Sequence, residues 1–208
     1  SCKLMVPFSF SSEETIAAIA TAVAPGEGGI AVVRISGPAA ELTARRVFVC
    51  SGHQQWQSHR IMYGHVIDRQ NNDERIDEVL LFIMKAPRSF TGEDVVEIQC
   101  HGGLITVQRV LELVIKESNV RRALPGEFSQ RAVLNGRIDI TKAEAISELV
   151  SARSRRAAQL AIAGLDGGIS SAITTLRNRL LDQLSEIDAR VDFEDDLPKL
   201  DGVGVLNE

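Results

Sequence analysis

Cysteine is scarce in this 208-residue chain: Cys2, Cys50 and Cys100 are odd in number, far apart and form no CxxC pair. That spacing suits reduced thiols in a cytosol better than a disulfide framework or a zinc site. Long apolar runs are missing too, since none approaches the roughly 18 residues that a spanning helix needs. No h-region follows the single lysine of Ser1-Cys2-Lys3-Leu4-Met5, so the start does not read as a signal peptide, and Ser1 to Leu4 read as additions ahead of a native Met5. There is no basic excess. The net charge is −5, all of it carried by residues 138–208, which disfavours unaided binding to nucleic-acid backbone. Nor is there a GxxxxGK[ST]: Lys3, Lys85, Lys116, Lys142 and Lys199 follow Cys, Met, Ile, Thr and Pro. Without a phosphate-cradling loop the chain has no usual means of hydrolysing GTP. The expectation is a cytoplasmic protein with no membrane association, and no long repeat or low-complexity segment is visible.

What is present changes character near residue 137. Residues 15–23 are apolar and end at Ala24-Pro25-Gly26; Ser11 and Glu14 have capping-box spacing, but length and turn favour a strand. Ile30–Ile35 is a β-branched strand ended by Gly37-Pro38, with Pro38 suited to the first position of a helix through about Phe48. Residues 51–59 read as loop. Ile61–Ile67 and Ile76–Met84 pair as a hairpin around Asn71-Asn72-Asp73. Val95–Cys100 is another strand, entered from the loop Ala86–Glu93, and residues 104–117 place Val107, Val110, Leu111, Val114 and Ile115 on one helical face. Strands and helices mixed at short spacing predict an α+β or α/β domain.

From Asp139 only helices are predicted. Thr141 and Glu144 form a capping box, residues 154–165 continue, and Gly167-Gly168 breaks the run. Ile169, Ile173, Leu176, Leu180, Leu184, Ile187 and Val191 then stripe a helix of about 23 residues. No strand signal follows residue 137.

Several residues invite a functional reading. Gly26-Glu27-Gly28-Gly29 lies between two strands, so it is a tight turn and not a dinucleotide fingerprint, which needs a helix behind it. Arg34 interrupts an apolar strand and needs either a partner, a wet rim or a ligand. Glu97 does the same among Val95, Val96 and Ile98, and its two acceptor oxygens suit any group with adjacent N–H donors, a guanidinium or the amino-pyrimidinone edge of a pterin. Spacing does not separate an internal Glu–Arg pair from a ligand clamp. Arg137 follows the turn Asn135-Gly136 and reads as a surface arginine. His101, beside Gly102-Gly103, has no nucleophile arrangement and reads as structural or capping. Asp192, Glu194, Asp195 and Asp196 lack a glycine-bearing ligand loop and read as a solvated helix end. No catalytic or metal-ligating residue is assigned.

Ordered stretches across residues 15–196 resemble the tRNA-modification GTPase family MnmE or TrmE. They are Thr15–Thr21, Gly28–Gly37, Ala86–Asp94 with Glu97 and His101-Gly102-Gly103, Arg122–Ser129 with Arg131-Ala132, Ala143–Ile146 and Ile187–Asp196. The resemblance implies an α+β fold: a mixed-sheet, tetrahydrofolate-binding-like N-terminal domain over residues 1–137, which also dimerises. An all-α segment, the first part of a helical domain, then covers residues 138–208. It implies a parent enzyme that uses GTP, magnesium and potassium. With tRNA and a FAD-dependent partner protein, that parent would add a carboxymethylaminomethyl-type group to a wobble uridine. By motif position, folate contacts fall on Arg34, Glu97 and Arg137, the ligand being 5-formyltetrahydrofolate or methylenetetrahydrofolate. The family's GTPase domain and its C-terminal Cys-x-Gly-Lys motif have no counterpart here, which implies a segment of a longer protein. A stand-alone folate-dependent aminomethyltransferase and a ligand-free dimerisation module are the alternatives.

Overall fold

Seven strands form one mixed sheet, and the alternation of apolar and polar residues along them gives the sheet a covered face and an open face. The structure is a computed structural model and describes residues 14–23 and 28–192. Its strands are β1 (Thr15–Ile19), β2 (Ile30–Ser36), β3 (Phe48–Cys50), β4 (Arg60–Asp68), β5 (Glu74–Met84), β6 (Val95–His101) and β7 (Val120–Arg122). They lie in the order β3-β4-β5-β6-β2-β1-β7, antiparallel except for β1 against β7. Helices α1 (Ala40–Val47), α2 (Leu104–Lys116) and α3 (Glu127–Leu134) complete this unit, and α4 (Ile140–Ser151), α5 (Arg155–Leu165) and α6 (Gly168–Asp192) form a second. The fold is α+β followed by helices, and the two compact units divide between Ile138 and Asp139.

Because successive side chains of a strand point to opposite faces, Val33 and Ile35 of β2, Val96 and Ile98 of β6, and Leu81 and Ile83 of β5 share one face. There they pack with Ala44 of α1 and with Val107, Val110 and Val114 of α2 to make the core. The opposite face carries Arg34, Glu97, Gln99, Leu80 and Phe82, and leaves Ile30, Ile61 and Tyr63 exposed. Gly64 makes β3 and β4 fit: a side chain there would run onto the Val49 carbonyl and stand 2.6 Å from the Phe48 ring.

Several elements depart from the sequence reading. The helix after Gly37-Pro38 begins at Ala40, because Ala40 N–H closes a turn on the Gly37 carbonyl at 3.1 Å and Thr15 Oγ1 accepts from Ala39 N–H at 2.8 Å. Phe48 opens β3 instead of ending that helix. The cap of α4 is Asp139, whose carboxylate accepts the Lys142 amide at 2.8 Å and the Thr141 hydroxyl at 2.7 Å. Strands β3 and β7 and helix α3 escaped the sequence reading. The hairpin turn is as read, with Asn72 and Asp73 at φ 51° and 54°, values Asn and Asp tolerate. In the second unit, α4 and α5 approach through small residues: Ala145 and Ala161 are buried, and a Cβ on Gly164 would stand 3.0 Å from that of Ala145. The stripe of α6 is exposed at Ile173, Leu176, Leu180, Leu184 and Ile187. Ser11, Pro25-Gly26-Glu27 and Glu194 to Asp196 lie outside the described residues.

Candidate functional site

Arg34 and Glu97 occupy paired positions on the adjacent antiparallel strands β2 and β6. Their side chains meet on the open face, where Arg34 Nε donates to Glu97 Oε1 at 2.7 Å. The two charges compensate each other in an otherwise apolar setting, yet 28% of one side chain and 23% of the other remain exposed. The contact is single. Among the described residues, Glu97 Oε2 and the two terminal nitrogens of Arg34 have no hydrogen-bond partner. The rings of Phe90 and Phe128 stand over the guanidinium, each 5.6 Å away, a distance that allows cation–π attraction.

A buried polar network holds those two rings in place. Glu127, fully enclosed, accepts from Arg121 at 2.7 and 2.9 Å, from the Leu124 amide at 2.8 Å and from Arg131 at 3.2 Å. Burial alone would raise its pKa, but the Arg121 guanidinium, the Leu124 amide and Arg131 outweigh it and hold the carboxyl down at about 2. Arg131 also reaches the Glu14 carbonyl at 2.8 Å and Glu93 at 3.1 and 3.2 Å, and Glu93 accepts the Ser36 hydroxyl at 2.6 Å. The loop that carries Phe90 is thereby tied both to β2 and to α3, which carries Phe128.

Arg137 joins the same loop from the turn after α3. Its Nε donates to the Ser89 carbonyl at 2.9 Å, one residue before Phe90. Asn135 donates to the Thr91 carbonyl at 2.8 Å, and Gly92, at φ 77°, leaves room for it. The structure therefore brings Arg34 and Glu97 into contact, and it anchors Arg137 to their aromatic frame without a hydrogen bond to either.

At the far end of β6, Asp77 accepts from the His101 amide at 2.8 Å and pairs with His101 Nδ1 at 2.7 Å. The hydrogen bond and charge of Asp77 raise the imidazole's pKa. Burial pushes the thiol of Cys100 up to about 12, so it is no nucleophile. Among the described residues no group of three or more His, Cys, Asp or Glu side chains could hold a metal ion, and no helix is long and apolar enough to cross a membrane.

Two families match the chain: residues 15–137 match one described as GTP-binding protein TrmE N-terminus, and residues 140–208 match the MnmE helical domain. The chain belongs to the MnmE/TrmE family. Among its relatives is a protein of Synechococcus sp. (strain CC9902) named tRNA modification GTPase MnmE. It is 71% identical over 195 residues, which cover 94% of this chain and 43% of the relative. A protein of the same name from Prochlorococcus marinus (strain MIT 9313) is 71% identical over 196 residues, covering 94% of this chain and 42% of that one. The chain thus spans less than half the length of these curated relatives. In the first family's region, sequence reasoning singled out Arg34, Glu97 and Arg137 but missed the frame around them. Glu127 and Arg131 carried opposite charges four residues apart on a helix. Phe90 and Phe128 carried no charge or period, and the one signal common to all four is that they lie in stretches that resemble the family.

Proposed function

We propose that this region holds a tetrahydrofolate one-carbon donor at Arg34, Glu97 and Arg137, within a homodimeric, GTP-dependent enzyme that modifies tRNA. The observation that carries the reading is the half-used ion pair on the open face. A pterin presents adjacent N–H donors, and Glu97 retains an unbonded Oε2 and a further lone pair on Oε1 to receive them. Arg34 keeps its terminal nitrogens for carbonyl or carboxylate oxygens of the ligand, and Arg137 adds positive charge from the Ser89 side. Phe90 and Phe128 exclude water from one flank. When bound, the folate supplies the one-carbon unit; this chain's residues bind and orient it.

The parent's GTP hydrolysis with magnesium and potassium, its FAD-dependent partner and the carboxymethylaminomethyl-type product on the wobble uridine belong to the same reading, as does a cytoplasmic location. Residues 1–137 and 138–208 are its two domains. Dimerisation is supported by the apolar surface of the open sheet face, where Ile30, Ile61 and Tyr63 are 57%, 59% and 44% exposed. Light scattering should return twice the chain mass, because a specific dimer needs at least about 1,000 Å² of total buried surface; a monomer at micromolar concentration contradicts it.

One observation favours the ligand-free dimerisation module instead: Arg34 and Glu97 already satisfy each other's charge at 2.7 Å. Calorimetric titration with 5-formyltetrahydrofolate and with methylenetetrahydrofolate separates the two readings. Saturable one-to-one binding of either supports a folate site, and absence of heat and of any melting shift with both removes it.

A further inference from the structure

We infer that Arg153, Arg155 and Arg156, at the connection between α4 and α5, form a contact for the phosphate backbone of RNA, an inference that rests on the tRNA-modification reading above. Three arginines fall within four residues, and all three are exposed. Among the described residues none of their side chains has an ion pair or hydrogen bond, a state shared by the side chains of Arg60, Arg88, Arg122, Arg177 and Arg179, so what sets these three apart is that they fall together. The placement also runs against the usual electrostatics of a helix. The first turn of α5 carries no acid, and Arg155 and Arg156 occupy it, where the backbone dipole already concentrates positive potential. A sequence that breaks a local rule without an internal compensation is one in which an external group is expected to supply it.

The ground beside the patch is a groove of about 480 Å³ between α4 and α5. It is lined by Arg153, Ser151, Ser154, Ala157, Leu160 and Glu148, the last its one acid. Ser151 donates its hydroxyl to the Ser147 and Glu148 carbonyls at 2.9 and 3.2 Å. Ser154 Oγ accepts from the Ala157 amide at 3.2 Å and keeps its O–H, so that hydroxyl and the guanidinium forks are the donors left for a ligand. A planar fork meets a phosphate with two parallel hydrogen bonds, and evenly spaced phosphates allow separate arginines to engage separate groups. The chain as a whole is acidic at −5, so its long-range field does not attract a polyanion and binding must come from the local patch.

The test is fluorescence anisotropy of a labelled, unmodified tRNA transcript with the 208-residue chain across a series of potassium chloride concentrations. Neutralising two or three phosphates predicts a slope of log affinity against log salt of about −2 to −3, at roughly 0.9 per phosphate. Arg153→Gln, Arg155→Gln and Arg156→Gln together should weaken low-salt binding at least about tenfold and bring the slope near zero. The three corresponding lysine substitutions should keep the slope, because lysine remains a phosphate point charge. Unchanged affinity and slope in the glutamine variant would overturn the inference, as would an absence of salt-dependent binding by the unaltered chain. Competition by poly-glutamate as effective as by RNA at equal charge also overturns it, assigning the patch to an acidic polypeptide. Folate titration of the glutamine variant should be unchanged, so loss of the patch and loss of the folate reading are distinguishable.

Discussion

Replacing Glu127 by glutamine keeps the shape of the side chain but withdraws the enclosed carboxylate that Arg121 and Arg131 share. Holding that carboxyl at about 2 rather than 4.5 corresponds to about 3 kcal/mol of stability near neutral pH. Removing one partner of a buried pair while the other stays charged costs about 3–5 kcal/mol, so the two routes to the magnitude agree. Because the folded-state pKa is depressed, the contribution is present in full above the unfolded value of 4.5 and fades as pH falls toward 2. Urea unfolding followed through Trp56 is the assay, since that ring packs on Phe48 at 5.9 Å and under Arg45 at 4.1 Å in the first unit. Glu127→Gln should lose about 3 kcal/mol near neutral pH, and the gap to the unaltered chain should narrow as the solution is acidified toward pH 3. A loss below about 1 kcal/mol, in the range of an exposed ion pair, or a gap that stays constant with pH would refute the reasoning.

Two further perturbations probe other parts of the first unit. Gly64→Ala places a methyl group 2.6 Å from the Phe48 ring and onto the Val49 carbonyl. It should destabilise by about 1–3 kcal/mol or more, and an unchanged urea midpoint would contradict the close fit of β3 on β4. Asp77→Asn removes the charge that favours imidazolium at His101. The His101 pKa, read by proton NMR, should fall from its raised value, and a constant titration would show that Asp77 does not set it.

Much of this was legible from residues alone, for identifiable reasons. The strands β2, β5 and β6 declare themselves because β-branched or apolar residues recur on the face that meets α2, and the turn at Asn72-Asp73 because those residues tolerate positive φ. Strands β3 and β7 are three residues long, too short to display a period, and β7 exists through parallel pairing with β1, more than a hundred positions away. Helix α3 was hidden because its buried residues include Glu127 and Arg131, charges that read as surface until their partners are known. At the site, Arg34 and Glu97 stood out as charges on apolar strands, and only the register of β2 against β6 places them side by side. The rings of Phe90 and Phe128 come from segments far apart in sequence, so no local pattern joins them to Arg34.

The most direct test of the account is the affinity of Glu97→Gln for 5-formyltetrahydrofolate, measured together with its melting temperature. Glutamine puts an amide N–H where the folate is expected to bring its own, which should weaken binding about 30- to 1,000-fold, the equivalent of about 2–4 kcal/mol. The melt should stay close to that of the unaltered chain, because Glu97 makes a single, partly exposed hydrogen bond to Arg34. Unchanged affinity would remove Glu97 from the site, and a collapsed melt would show that the Arg34–Glu97 pair serves the fold and not a ligand.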